Sequence, residues 1–381
     1  MWKRVVTFTQ KMGCIFGLMA AGPLALVFLL VNVGALPVSA AESGGPDKSE
    51  VSFTLTEIHE EPVIDSNHPD ARDNKHGFED GVTVKIGGVY HMIVDEMAGD
   101  PFWVAMRIAH WTSTDAVHWR REGTLKETNG KPRSQTGLPY ESVWGPNVVF
   151  DEKDQRWNLF YVGYDSGGAS GGRIWRSISI EKGRNGIGGP YRDTGIILQP
   201  DIDSQAWEGA QGTDSFFPYR VGKRWLAFYG SHGGSPVWQV GLAEAPELAG
   251  PWKRCPTGNP LPIEPFLIEN PEVIQVGGLY LAVYDMDVIG SHMERDAHNV
   301  GFTVSHDGIH WSPGGRILVQ PDGPANWSKC MRTPLGLIPE GKDVFTLLYT
   351  AERKSGGYFP VGMVKLKLHP GLESGLSVLP Q

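Results

Sequence analysis

Hydrophobic residues along this chain recur in short alternating runs that are separated by glycine-rich or polar turns. Five segments share one form, an apolar strand, a turn and a second strand that opens on an aromatic residue. These aromatics are Tyr90, Trp157, Trp225, Tyr280 and Phe345, at spacings of 67, 68, 55 and 65 residues. No long stretch has the 3.6-residue period of an amphipathic helix. The pattern predicts one supersecondary unit repeated five times.

A further pair of strands follows most of these hairpins. Residues 108–119 and 301–311 each run from an apolar strand through a turn containing Asp to a tryptophan, and residues 240–252 follow the third hairpin in a similar way. Four strands repeated five times predict an all-β fold, a five-bladed β-propeller with four antiparallel strands per blade. Val51–Ile58 is expected to close the ring as an outer strand beside residues 361–366. An irregular β-sandwich is the alternative.

The first forty residues have the features of a secretory signal peptide. Three basic residues are the only charges before Glu42, residues 14–36 are mostly apolar, and small residues at 38–40 suit a cleavage site. Cleavage would change the net charge from −9 to −12, because three positive charges are lost. It would leave residues 41–381 as a single propeller domain, secreted or periplasmic and without membrane attachment. An uncleaved anchor is the alternative, since about 20 apolar residues can span a bilayer.

Composition narrows the classes of function. The chain has 381 residues, of which 40% are hydrophobic and 20% charged, with 13 Trp and only 3 Cys. Such a composition excludes a disordered chain and a disulfide scaffold, although Cys255 and Cys330 could still pair in an oxidising compartment. The acidic balance argues against a nucleic acid as partner, because binding to a phosphate backbone depends on Lys and Arg patches. A neutral or weakly charged ligand fits better.

The residues that open the innermost strands are the candidates for chemistry. In a propeller these strands surround a central channel, so side chains at one end of them converge. Counting back eleven to thirteen residues from each repeated aromatic identifies Glu79 (with Asp80 beside it), Trp144, Asp214, Glu269 and Arg332. Ionised carboxylates are rarely buried without partners, whereas functional sites do collect them. A cluster of this kind therefore indicates a site rather than a packed core.

Converging carboxyl groups suit glycoside hydrolysis. One carboxyl group with a raised pKa protonates the leaving oxygen, a second acts as base or nucleophile, and a third raises the pKa of the acid by repulsion. Trp144 would offer a platform for a sugar ring, and Arg332 would balance charge or hold hydroxyl groups. A metal site, or a channel closed by structural Arg–carboxylate pairs, is the alternative.

The same segments resemble motifs of glycoside hydrolase families 43 and 32. Residues 78–92 resemble the first-blade motif, in which an Asp opens a strand that ends in Gly-x-Tyr-His or Gly-x-Tyr-Tyr. Residues 143–148 resemble the Trp-Ala-Pro motif of family 43, and residues 213–216 occupy the place of the Arg-Asp-Pro motif of family 32. Residues 269–273 resemble the Glu-Cys-Pro or Glu-Gly-Pro segment. The resemblance spans roughly residues 50–368 as a blade-level pattern.

The resemblance implies a role for each carboxylate. Asp80 is expected as the base or nucleophile, Glu269 as the general acid and Asp214 as the third carboxylate that tunes the acid. Gly81 stands where the family has Pro, which is a departure. Glu79 beside Asp80 leaves the first-blade assignment open by one residue, because neighbouring side chains of an ideal strand point to opposite faces.

The resemblance also implies a carbohydrate partner, an oligosaccharide or polysaccharide cleaved at a furanoside or pentoside. His232 and Asp285, at the ends of second strands, are expected as substrate contacts. No metal ligand is predicted, and no cofactor is certain; a structural calcium in the central channel, bound in some members of family 43, stays open. Two other functions remain. One is a non-catalytic carbohydrate-binding propeller, and the other is a glycan phosphorylase of a related propeller family, which would need several cationic side chains at the site.

Overall fold

The computed structural model of the chain describes residues 51–166, 170–233, 238–287, 298–318 and 323–370. The predicted signal peptide lies outside these residues. In the described ranges, no helix is long and apolar enough to cross a membrane. Helical structure there is limited to α1 (Arg133–Thr136) and two 3-10 turns, Pro69–Ala71 and Arg184–Gly188.

Twenty strands make up the described part of the chain, and β1 (Val51–Ile58) precedes the rest. Blade 1 contains β2 (Phe78–Ile86), β3 (Val89–Glu96), β4 (Arg107–Ser113) and β5 (Trp119–Glu127). Blade 2 contains β6 (Ser142–Asp151), β7 (Arg156–Tyr164), β8 (Arg173–Ser179) and β9 (Tyr191–Leu198). Blade 3 contains β10 (Asp214–Val221), β11 (Arg224–His232), β12 (Trp238–Ala245) and β13 (Lys253–Arg254).

Blade 4 contains β14 (Ile268–Val276), β15 (Leu279–Asp287), β16 (His298–Ser305) and β17 (Gly315–Arg316). Blade 5 contains β18 (Pro334–Pro339), β19 (Val344–Thr350) and β20 (Val361–Pro370). Its fourth strand is β1, which runs antiparallel to β20 with Val51 opposite Pro370. The five-bladed all-β propeller is therefore confirmed, together with the predicted closure of the ring by β1.

The repeated aromatic residue is the second residue of the second strand in every blade. Hydrophobic side chains then fill the spaces between neighbouring blades, because each sheet is covered on both faces. One large cluster runs through blades 1 to 4, a second joins blades 5 and 1 and a third joins blades 4 and 5. The relative positions of the blades thus depend on buried apolar contacts rather than on a covalent link, and Cys255 and Cys330 are not joined by a disulfide.

All five innermost strands contain a β-bulge close to their start. Their register against the second strand shifts between Phe78 and Gly81, Trp144 and Asn147, Asp214 and Phe217, Glu269 and Glu272, and Pro334 and Gly336. A bulge leaves residues unpaired in the ladder and re-aims their side chains. The backbone is left-handed at Gly145, Ser215 and Asn270, with φ of 57°, 49° and 52°. In blades 1 to 4 the bulge includes the predicted site position, and in blade 5 it begins two residues after Arg332.

Blades 1 and 4 share a turn between their third and fourth strands. The carboxylate of Asp115 accepts the N–H groups of Val117 (2.9 Å) and His118 (2.8 Å), and its other oxygen lies 2.8 Å from Nδ1 of His118. Asp307 makes the corresponding contacts in blade 4. Burial opposes ionisation of both carboxyls, but these hydrogen bonds outweigh it and hold the pKa of Asp115 and of Asp307 well below the usual range.

Asp115→Asn and Asp307→Asn are each expected to lower the free energy of unfolding at pH 7 by about 1 kcal/mol, as for a lost hydrogen bond. Because the folded-state pKa is depressed, the carboxylate stabilises the fold fully above its unfolded value near pH 4 and loses this effect as the pH falls towards the folded value. Urea denaturation at pH 7 and pH 3 should therefore show a difference from wild type that narrows in acid. The exposed Asp154→Asn serves as control, and a pH-independent difference would contradict this account.

Candidate active site

Carboxyl groups from blades 1, 3 and 4 lie together where the innermost strands begin. Asp80 on β2 and Asp214 on β10 are buried, with relative exposures of 7% and 5%, and Glu269 on β14 is half-buried. Burial, then Glu79, Glu269 and Asp214, raise the pKa of Asp80 well above its usual range. The three carboxyls expected from the repeat are thus brought into one electrostatic cluster.

The pKa of Glu269 is raised for the same reasons. Burial is the largest cause, followed by the charges of Asp214 and Asp285, while Arg332 acts in the opposite direction. The pKa of Asp214 is also raised by burial, although hydrogen bonds to its carboxylate oppose the rise. Carboxyls whose charges raise one another's pKa titrate as a coupled system, in which protonation of one lowers the pKa of the others.

Hydrogen-bond donors are distributed unevenly over these three carboxyls. Asp214 accepts from the Tyr164 hydroxyl and from a backbone N–H, and Asp80 accepts from Nδ2 of Asn270 at 2.7 Å. No donor from the described part of the chain hydrogen-bonds the carboxyl of Glu269. Donated hydrogen bonds stabilise the ionised form of a carboxyl group. These hydrogen bonds therefore favour the ionised forms of Asp80 and Asp214 relative to that of Glu269.

Both Glu79 and Asp80 reach this cluster. Glu79 is buried and one carboxylate oxygen lies 2.6 Å from the guanidinium of Arg332, while Asp80 faces Glu269 and Asp214. The expectation that only one of the two could point inward assumed an ideal strand. The bulge between Phe78 and Gly81 removes the alternation at this point, so the two neighbouring side chains serve one cluster.

Arg332 supplies positive charge to the cluster. Burial opposes the charge on its guanidinium, but the carboxylates of Glu79, Asp285, Glu269 and Asp80 outweigh burial and raise its pKa. The guanidinium also lies over the rings of Trp103 and Phe359, at 5.5 and 5.3 Å from their centroids. These contacts confine Arg332 between acidic and aromatic side chains.

Asp285, one of the two expected substrate contacts, pairs with His298. Its Oδ1 lies 3.0 Å from Nδ1 of His298, and its charge acts on Glu269 and Arg332. His232, at the end of β11, contacts Trp238 with 5.5 Å between ring centroids. Asp285 thus belongs to the cluster through its charge, and it is held there by His298, a residue that the repeat pattern did not single out.

Trp144 lies beneath a second tryptophan. Its ring stacks on Trp103 at 5.1 Å between centroids, and its Nε1 donates to the Trp103 carbonyl at 3.2 Å. Trp144 is buried, whereas Trp103, on the connection between β3 and β4, is half-buried. The φ of Trp103 is 70°, which is unusual for a bulky residue and is the kind of strain found at functional sites. Trp103 has the more accessible ring of the two.

Asp95, near the end of β3, adds another carboxyl group to the cluster. It is buried, and its Oδ2 accepts the N–H of Gly145 at 2.8 Å. Burial and the charge of Asp80 raise the pKa of Asp95 well above the usual range. Among the described residues, no three His, Cys, Asp or Glu side chains are arranged to hold a metal ion. The calcium in the channel stays a prediction.

Comparisons with known proteins find this fold in glycoside hydrolases. A solved structure described as a glycoside hydrolase superposes with a TM-score of 0.63 and 16% identity, covering 83% of this chain and 92% of its own. Zg3597, a family 117 glycoside hydrolase of the marine bacterium Zobellia galactanivorans, gives 0.56 and 15%, covering 85% and 92%. A thermostable family 43 glycoside hydrolase gives 0.51 and 14%, covering 80% and 95%.

At such low identity the similarity establishes the propeller fold that these proteins share with the chain. The resemblance to family 43 noted in the motifs is thus matched by a similar fold. No protein-family model matches the sequence, and no curated protein matches it either.

Arg332→Met is expected to lower the free energy of unfolding by about 3–5 kcal/mol at pH 8, because it leaves the buried Glu79 without its cation. The loss should be smaller at pH 5, since carboxyls with raised pKa values can then take up protons. The double variant Glu79→Gln/Arg332→Met should recover much of the loss. Denaturant unfolding at both pH values measures these differences.

The control for this prediction is Arg224→Met, which removes a more exposed ion pair to Glu244. Such surface pairs contribute about 0–1 kcal/mol. An Arg332→Met protein as stable as wild type at pH 8 would contradict the importance of the buried pair.

Proposed function

We propose that this protein is a glycoside hydrolase in which Glu269 is the general acid and Asp80 is the base or nucleophile. The unequal supply of hydrogen-bond donors to the clustered carboxyls is the observation that carries the proposal. A glycosidase needs two carboxyls in different protonation states at neighbouring positions. Here the carboxyl of Glu269 lacks the donors that stabilise Asp80 and Asp214 as anions.

In this mechanism Glu269 donates its proton to the glycosidic oxygen as the bond to the sugar breaks. Asp80 then acts on the sugar or on a water molecule from the other side of the reacting carbon. Asp214, held as an anion by Tyr164, keeps the pKa of Glu269 high by repulsion. A negative cluster also stabilises the positive charge that develops on the sugar ring in the transition state.

The charge of the site supports an uncharged sugar at the reacting position. Acidic side chains outnumber the Arg332 cation in the cluster, so a carboxylate or sulfate on that sugar would be repelled. Trp103 is half-buried and lies beside Arg332, so the exposed part of its side chain can contribute an apolar contact to a bound sugar. A furanoside or pentoside, and action outside the cell or in the periplasm, remain proposals from the sequence.

The alternatives fit the site less well. A glycan phosphorylase would have to bind phosphate, but the guanidinium of Arg332 is paired with Glu79 and surrounded by carboxylates that would repel a second anion. A non-catalytic binding protein would have no need for desolvated carboxyls, which are unfavourable to bury. Hydrolysis accounts for both the pairing of Arg332 with Glu79 and the presence of desolvated carboxyls.

Glu269→Gln should reduce kcat/KM by about 10²–10⁴-fold on natural oligosaccharides, whose leaving alcohols need a proton. The reduction in kcat/KM should be much smaller on dinitrophenyl glycosides, because that leaving group departs without protonation. Asp80→Asn should be impaired on both kinds of substrate. The measurement is kcat/KM on a panel of aryl furanosides and pyranosides, together with plant and microbial polysaccharides.

Glu272→Gln is the matched control, because Glu272 lies on the same strand and burial alone raises its pKa. This variant should keep wild-type activity. Equal losses for Glu269→Gln on both kinds of leaving group would argue against its role as acid. Sugar phosphate formed when phosphate is added would favour phosphorolysis, and glycan binding without turnover would favour a binding protein.

A further inference from the structure

A hydrogen-bonded bridge connects the bulges of blades 3 and 4 to blade 1. The Nδ2 group of Asn270 donates to Oδ1 of Asp80 at 2.7 Å, and the backbone N–H of Asn270 donates to Oγ of Ser215 at 3.2 Å. The Ser215 hydroxyl donates back to Oδ1 of Asn270 at 3.3 Å, and the Ser215 N–H donates to Oδ1 of Asp214. Asn270 is also joined to Glu269 by a peptide bond. The bridge therefore touches all three carboxyl residues of the proposed site.

Both residues of this bridge have an unfavourable backbone conformation. Asn270 has φ of 52° and Ser215 has φ of 49°, a region in which glycine is the usual residue. Blade 2 has glycine at the equivalent position, Gly145, with φ of 57°. Side chains at 215 and 270 are thus present where the backbone favours none, which indicates that their polar groups have a role.

The orientation of the Asn270 amide is fixed by its neighbours. Its oxygen accepts the Ser215 hydroxyl, so its nitrogen, which can only donate, is directed at Asp80. A donor at this position stabilises the anion of Asp80 and provides no acceptor for a proton on it. Burial and the neighbouring carboxylates raise the pKa of Asp80 and favour its protonated form, and the Asn270 amide acts against them.

We propose that Asn270 is a positioning residue that holds Asp80 as an anion and fixes its place relative to Glu269 and Asp214. This inference rests on the proposed glycosidase, in which Asp80 must accept a proton or attack the sugar while Glu269 keeps its proton. Asn270 acts through Asp80.

The charged groups that face Asp80 come from several elements. They are Glu79 on its own strand, Asp95 on β3, Asp214 on β10, Glu269 on β14 and Arg332 just before β18. None of them is altered when only the side chain of Asn270 is changed. A change in the titration of Asp80 can then be assigned to the lost amide.

Asn270→Gly separates the amide from the backbone. Glycine relieves the left-handed conformation, so the variant should fold with equal or greater stability while the donor to Asp80 is lost. The acidic limb of the pH profile of kcat/KM should move to higher pH by about one unit, the equivalent of one hydrogen bond to a charged group. We also expect kcat to fall by about tenfold through loss of orientation.

A second measurement does not depend on finding a substrate. Protein labelled with ¹³C at the aspartate side-chain carboxyl carbon is titrated by NMR, and the Asp80 signal is assigned with Asp80→Asn. The pKa of Asp80 should be higher in Asn270→Gly than in wild type, and higher still in Asn270→Asp, which keeps the shape but adds a carboxyl group. Gln155→Gly is the control, because Gln155 has φ of 54° in an exposed turn away from the site.

The two proposals fail in distinguishable ways. Wild-type protein that is inert on the whole glycan panel overturns the proposed glycosidase. An Asp80 titration that is the same in wild type, Asn270→Gly and Gln155→Gly overturns the role of Asn270, whatever the activity. A change in stability alone would show that Asn270 is only structural.

Discussion

A β-bulge at the start of each innermost strand is the constraint from which the site follows. A regular strand engages its N–H groups in the ladder and sends alternate side chains to opposite faces. The bulge releases N–H groups, and buried carboxylates need donors of this kind. The N–H of Gly145 is used by Asp95 and that of Ser215 by Asp214. The bulges thus bring acidic side chains into one cluster and also supply the hydrogen-bond donors that reduce the energetic cost of burying them.

The architecture could be predicted because it is repeated in the sequence. Tyr90 and its four equivalents mark one register position in every blade, so strand order and converging positions follow from counting. Apart from Arg332, the partners of the carboxyls could not be found in this way. Asn270 acts across blades from a bulge, His298 reaches Asp285 from the third strand, and Trp103 belongs to an irregular connection outside the repeat. The alternation of side chains predicts which face a residue occupies only in a regular strand. These contacts are made where the strands are irregular, so alternation does not predict them.

The geometry of the site depends on the whole ring, because its residues belong to different blades. Asp80, Asp214, Glu269 and Arg332 come from four different blades, and no covalent link joins them. Their separations are set by the hydrophobic clusters between blades, which pack at the density of a solid. Repulsion within the acidic cluster acts against this packing. Stability at the blade interfaces is therefore what allows desolvated carboxyls to remain at short range.

Closure of the ring by β1 also has a consequence for the order of assembly during synthesis. The hydroxyl of Thr56 donates to the carbonyl of Lys365, which is 309 positions later in the chain. While the nascent polypeptide emerges from the ribosome, β1 has no partner until nearly all other strands have been made. Arg332, which precedes the first strand of the last blade, also arrives late. Until then, the incomplete protein contains the acidic side chains of the cluster without the guanidinium of Arg332. Synthesis of the last blade therefore closes the ring and supplies the positive charge of the cluster at the same stage.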